Sequence, residues 1–118
     1  MKFLTALFFI LFFISCSAED QMAISAGGSD NKLVIQNNTD QEVFYFIVAR
    51  NCAPLIDWIP TLSGPKLDGG KSTTINYEEI YNCSEELTAT MNDEIIIYWW
   101  YRSYPETNKV EHLIIKLK

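Results

Sequence analysis

The residues able to do chemistry are few. His112 is the single histidine, so a nucleophilic triad would have to be built on it, with a Ser, Cys or Asp brought from elsewhere in the fold. It stands at an alternating strand position, where an imidazole is ordinarily solvated or packed against neighbours. A zinc site would depend on Cys52, Cys83 and a carboxylate, which is a poor ligand set, so neither a metal nor a cofactor is expected. The carboxylates come as neighbours, Glu78-Glu79, Glu85-Glu86 and Asp93-Glu94. Adjacent residues on an extended chain point to opposite faces, so no such pair forms one acid–base couple. Glycoside hydrolysis needs two carboxyl groups roughly 5 to 9 Å apart, which only the fold could assemble. Asp57 differs, lying in an apolar segment between Pro54 and Pro60, where burial would demand a partner. Gly69-Gly70-Lys71-Ser72-Thr73 invites comparison with a phosphate-binding loop. The first glycine of that motif falls on Pro65, and residues 72–77 alternate as a strand where a helix should start. A turn leading into a strand is the expectation.

Aromatic residues are the strongest pointer to a surface. Trp58, Tyr77, Tyr81, the run Tyr98-Trp99-Trp100-Tyr101 and Tyr104 are many amphipathic rings for so short a chain. On a strand they divide between two faces. One set can fill a core; the other must be covered, or left as a stacking platform for sugars or a protein. Trp58, Tyr98, Trp100 and Tyr104 are the residues nominated for that surface.

Short strands must position these groups. Residues 32–36 read as β, followed by the turn formers Asn37-Asn38-Thr39-Asp40. Over 42–50, Val43, Tyr45, Ile47 and Ala49 share one face and Phe44, Phe46 and Val48 the other. Both are apolar, which marks a strand covered on both sides. Residues 52–59 are bracketed by prolines, so any strand there is short or at an edge. A loop over 61–71 precedes the strand over 72–77, and a helical turn or loop follows in 78–87. Residues 94–102 form the strongest strand, with Ile95, Ile97, Trp99 and Tyr101 opposite Ile96, Tyr98 and Trp100. After a turn over 104–108, residues 109–118 close the fold. No window sustains a helical period. About six strands separated by turn signals indicate an all-β protein, an antiparallel β-sandwich of immunoglobulin or fibronectin type. A small β-barrel is the alternative.

The address is written at the start. Lys2, an apolar run from Phe3 to Ile14 broken only by Thr5, and Ser15 ahead of Cys16 have the layout of a secretory signal. The run is too short for a bilayer, which needs roughly 20 residues. Ile14-Ser15-Cys16 resembles the lipobox of bacterial lipoproteins, although Phe13 stands where that motif prefers Leu. The resemblance implies removal of 1–15, lipid attachment at Cys16 and a lipid-anchored place on the outer membrane of a bacterial envelope, facing the periplasm or the surface. Plain secretion is the alternative. Residues 16–31, small, polar and glycine-containing, read as a flexible tether, leaving 32–118 as one domain of ordinary size. With Cys16 acylated, Cys52 and Cys83 are an even pair in an exported chain and read as a disulfide, with two free buried thiols as the alternative. The formal net charge is −6, and no block of Lys or Arg exists, which disfavours nucleic acid as a partner.

Asn37-Asn38-Thr39, Tyr45, Leu55-Ile56-Asp57-Trp58, Gly69-Gly70-Lys71-Ser72 and Ile97-Tyr98-Trp99-Trp100, in that order, resemble a group of small bacterial exported lipoproteins with an immunoglobulin-like β-sandwich domain. That resemblance implies a sandwich and brings no catalytic residue. The expectation is a non-catalytic binding or structural module, held to the membrane through lipid on Cys16, with a protein or carbohydrate as ligand. A small carbohydrate-active hydrolase and a protease-inhibitor-like sandwich presenting loops 61–71 or 104–108 are the alternatives.

Overall fold

The computed structural model describes residues 22–84 and 87–118. Residues 1–15, expected as a signal, Cys16, expected to carry lipid, and the first part of the expected tether lie outside the described residues. Seven strands form two antiparallel sheets. One holds β1 (Ile24–Ser29), β2 (Lys32–Asn37) and β5 (Ser72–Asn76) in the order β1-β2-β5. The other holds β4 (Lys66–Leu67), β3 (Val43–Ala49), β6 (Glu94–Tyr101) and β7 (Glu111–Lys116) in the order β4-β3-β6-β7. The chain changes sheet after β2, after β4 and after β5, so each layer is assembled from distant segments. This is the expected sandwich; among the described residues neither sheet closes on itself, which sets aside the barrel.

Alternation explains the core. Leu33 and Ile35 of β2, Val43 of β3, Ile95, Ile97 and Trp99 of β6, and Leu117 all face inward and are buried. Fully burying each large aliphatic side chain contributes about 1.5–3 kcal/mol. The polar ends are satisfied: Asn37, fully buried, donates through Nδ2 to the carbonyls of Gln41 (2.8 Å) and Leu67 (3.0 Å).

The tether ends earlier than its composition implies. Residues 24–29 are not flexible chain but the edge strand β1, paired along its whole length with β2 from Ile24↔Asn37 to Ser29↔Lys32. Asp30 (φ 55°) and Asn31 (φ 64°) make the connecting two-residue hairpin turn, in which both central residues need left-handed backbone. Glycine hides this strand in the sequence. A Cβ on Gly28 would stand 2.5 Å from the Tyr77 hydroxyl and 2.8 Å from Leu117 Cδ2. The position is small because the core lies against it, not because the chain is loose. The domain therefore begins near residue 23, not at 32.

Both faces of β3 are covered, as its pattern requires. Residues Arg50–Leu55 form a 3-10 turn, the backbone turns extended at Ile56, and residues 56–60 continue as a strap over the outer face of the four-stranded sheet, where Trp58 packs. The Cys52–Cys83 disulfide, with Cα atoms 5.3 Å apart, fastens the start of this segment to the 80–84 loop. A second attachment lies nearby, where the Ala49 amide donates to the Tyr81 carbonyl at 3.0 Å.

Candidate functional site

The strap gathers three of the four nominated aromatic residues. Register sets Phe46 opposite Tyr98 and Phe44 opposite Trp100 on the outer face of β3 and β6. Trp58 descends from the strap onto them. Its ring centroid lies 4.7 Å from Phe46, 4.8 Å from Tyr98 and 5.8 Å from Trp100. The Trp100 indole N–H donates to the Thr61 carbonyl at 2.9 Å, so the far end of the strap is tied down as well. Aromatic contacts of this kind are each worth about 0.5–1.5 kcal/mol beyond area burial.

The open stacking platform suggested by these residues is thus filled from within. Trp100 is only 3% exposed and Trp58 is half-buried. Tyr104 is not part of the cluster. It starts the one-turn helix α1 (Tyr104–Thr107), half-buried.

What the strap presents outward is aliphatic. With Ile56 and Trp58 turned to the sheet, Leu55 and Ile59 stand 74% and 77% exposed, the highest values among the described large apolar residues. Asp57 lies between them and is exposed, so it needs no buried partner. Among the described residues Asp57 makes no ion pair. Residues 56–59 likewise make no hydrogen bond through their backbone N–H or C=O to other described backbone groups. A segment fastened near both ends, with unused backbone donors and acceptors, shares with a sheet edge the groups that can pair with another chain.

The other chemical candidates have structural roles. Asp93 Oδ2 accepts from the Asn82 amide (3.0 Å), the Thr90 backbone N–H (2.8 Å) and the Thr90 hydroxyl (3.3 Å). Glu94 pairs with Arg50 at 3.3 Å, and Glu79 accepts from the Asn76 backbone N–H at 2.8 Å. The pair Glu85-Glu86 lies outside the described residues. His112 sits exposed on β7 beside Tyr98, ring centroids 6.3 Å apart. No group of three His, Cys, Asp or Glu among the described residues is arranged to hold a metal ion. The Gly69-Gly70-Lys71 turn does lead into strand β5. Gly70 has φ 75°, and a Cβ on Gly69 would meet the Asp40 backbone at 2.6 Å. Backbone geometry, not a phosphate, explains those glycines.

Two titratable groups are displaced from their ordinary range. The Arg102 hydrogen bond holds the Glu42 carboxyl down, against partial desolvation, with Lys66 adding at 3.4 Å. Burial raises the Tyr45 phenol, and the Glu79 charge adds to this. Glu42 is held in a surface ion cluster with Arg102 and Lys66, and Tyr45 on β3 packs against the core, so a structural contact accounts for each shift.

Sequence reasoning missed one feature. Trp99 and Tyr101, assigned to the core face, reach the end of the sandwich and line an open cleft of about 390 Å³ with Ser103, Thr107, Lys109 and Glu111. Alternation identifies the inner face of a strand; it does not show where the opposing layer stops. No known protein family, curated protein or solved structure matches this chain.

Proposed function

We propose that this chain is a non-catalytic binding module of a bacterial envelope, held to the membrane by lipid on Cys16, whose strap docks an extended segment of a partner protein. One observation carries the reading. Leu55 and Ile59 are almost fully solvated on a segment fastened by a disulfide, an aromatic stack and an indole hydrogen bond. Exposed aliphatic groups on mobile chain are unremarkable; on an immobilised strap they are a prepared contact surface. The unused backbone of 56–59 suits strand addition, in which main-chain hydrogen bonds supply affinity and alternate side chains supply selectivity. The unpaired Asp57 between two aliphatic residues fits a partner strand carrying Lys or Arg flanked by apolar residues. Cys16 precedes Ala23 by seven residues, a reach of at most about 25 Å. The anchor therefore keeps the β1 end of the sandwich close to the bilayer.

A photo-crosslinking side chain placed at Ile59, in cells that make the protein, tests this. The expected result is one discrete protein adduct, absent when the same group replaces Thr74 on β5 and lost when Asp57→Lys is added. Equal labelling from both positions, or none from Ile59, would overturn the reading.

A further inference from the structure

We propose that the cleft at the β1 end of the sandwich is a separate binding site for a neutral sugar. Its volume of about 390 Å³ falls within the about 300–1,000 Å³ range of small-molecule pockets, with room for a sugar ring or two. Trp99, Trp100 and Tyr101, with Ala23, supply its apolar lining. Trp99 and Tyr101 stand two residues apart on one face of β6, and their rings meet edge to face with centroids 5.4 Å apart and planes at 86°. That makes a right-angled apolar corner. Trp99 keeps 8% of its surface exposed there, and Tyr101 is half-buried.

The rim selects the class of ligand. Ser103, Thr107, Lys109 and Glu111 surround the corner and are exposed. Lys109 Nζ lies 4.0 Å from Glu111 Oε1, so one positive and one negative charge offset each other. An ionic ligand meets no net field of opposite sign. A polyol is matched instead, because each hydroxyl both donates and accepts. Its hydroxyls can donate to Glu111 and accept from Lys109, while Ser103 and Thr107 serve either way. The C–H face of a pyranose covers the aromatic lining, combining an apolar body with a polar edge as the rings themselves do.

The other cavities suit a sugar less well: the hollow lined by Tyr45, Phe46 and Glu79 holds about 230 Å³, below the small-molecule range, and two others lack an accessible ring. The 400 Å³ hollow beside the β1–β2 turn is lined by polar turn residues, and its one ring, Tyr77, is buried with its hydroxyl donating to the Lys118 carbonyl. The 430 Å³ hollow beside Arg50 and Glu94 has no ring.

The test is titration of the full chain, isolated in a zwitterionic, sugar-free detergent, followed by NMR of the indole N–H signals. The probes are N-acetylglucosamine, N,N′-diacetylchitobiose, cellobiose, maltose and lactose, with glucuronic acid as the anionic control. The expected result is a saturable shift of the Trp99 signal with at least one neutral sugar and none of Trp58. Tyr101→Ala should abolish it. Lys109→Met, a change at an exposed side chain that leaves packing intact, should weaken binding about tenfold, the loss of one charge-assisted hydrogen bond. No response to any neutral sugar at about 50 mM, far above the concentration that reveals a millimolar site, would overturn the proposal. So would preference for glucuronic acid, or binding unchanged in Lys109→Met.

Discussion

Asn37 illustrates how much of this fold rests on single polar groups. Its side chain bonds the carbonyls of Gln41 and Leu67, and its Oδ1 accepts from the Thr39 backbone N–H (3.0 Å) and hydroxyl (2.7 Å). Asn37→Ala removes all four bonds; the Leu67 carbonyl loses a buried donor, while the Gln41 carbonyl keeps the one from the Thr39 hydroxyl. We expect a loss of about 2 kcal/mol, read as a lower urea midpoint at unchanged slope. Glu42 gives the fold an acid sensitivity. Its folded-state pKa is depressed, so its contribution is present above the ordinary carboxylate range and fades as pH falls through the lowered value. Glu42→Gln should therefore be less stable than the parent at neutral pH, and the difference should shrink below about pH 4. Paired melting curves across that range check it. Arg102, which lies 5.2 Å from the Phe44 ring centroid, adds a contact at the same corner. None of this was legible from Asn37 or Glu42 as residue types. Turn chemistry explained Asn37 in the sequence, whereas its depth of burial comes from β4 passing 30 positions later.

At the scale of elements, the strap and β1 are the instructive segments. The prolines at 54 and 60 announced that 52–59 could not be a central strand, and the segment indeed takes no place in a sheet. That it crosses the outer face of β3 and β6 is a consequence of Trp58 finding the Phe46–Tyr98–Trp100 surface, which two distant strands create. The disulfide spans a separation of 31 residues, and the chain-entropy estimate for such a loop is roughly 3 to 4 kcal/mol. Joint Cys52→Ser and Cys83→Ser replacement should lower stability by about that amount in urea melts. It should also raise acrylamide quenching of tryptophan emission as the strap loosens. A melt unchanged from the parent would show that the stack alone holds the strap. For β1, composition misled. Gly27 and Gly28 read as linker, yet the strand pairs over six positions because Tyr77 and Leu117 require a missing side chain at Gly28.

For the molecule as a whole, the two proposed surfaces lie on either side of Trp100, which lines the cleft and is also tied to the strap. The strap faces outward from the four-stranded sheet, and the cleft proposed for a sugar opens beside Ala23. If Cys16 carries lipid, Cys16→Ala should move the chain from the membrane to the soluble fraction of a cell lysate. The mass of the mature protein should fall by the acyl groups; an unmodified Cys16 in the parent would contradict the anchor. The sequence was enough for the all-β class and for the two faces of the strands it located, because period-two alternation reports which side of a strand meets oil and which meets water; that the sheets stay open as two layers came from the fold. It also favoured pairing Cys52 with Cys83 over two free thiols, and the structure joins them. Tertiary structure alone decided which aromatic face was covered, where the domain began and where the core opened into a cleft. Those outcomes depend on segments far apart in the chain arriving at the same place, and no local pattern of residues encodes such a meeting.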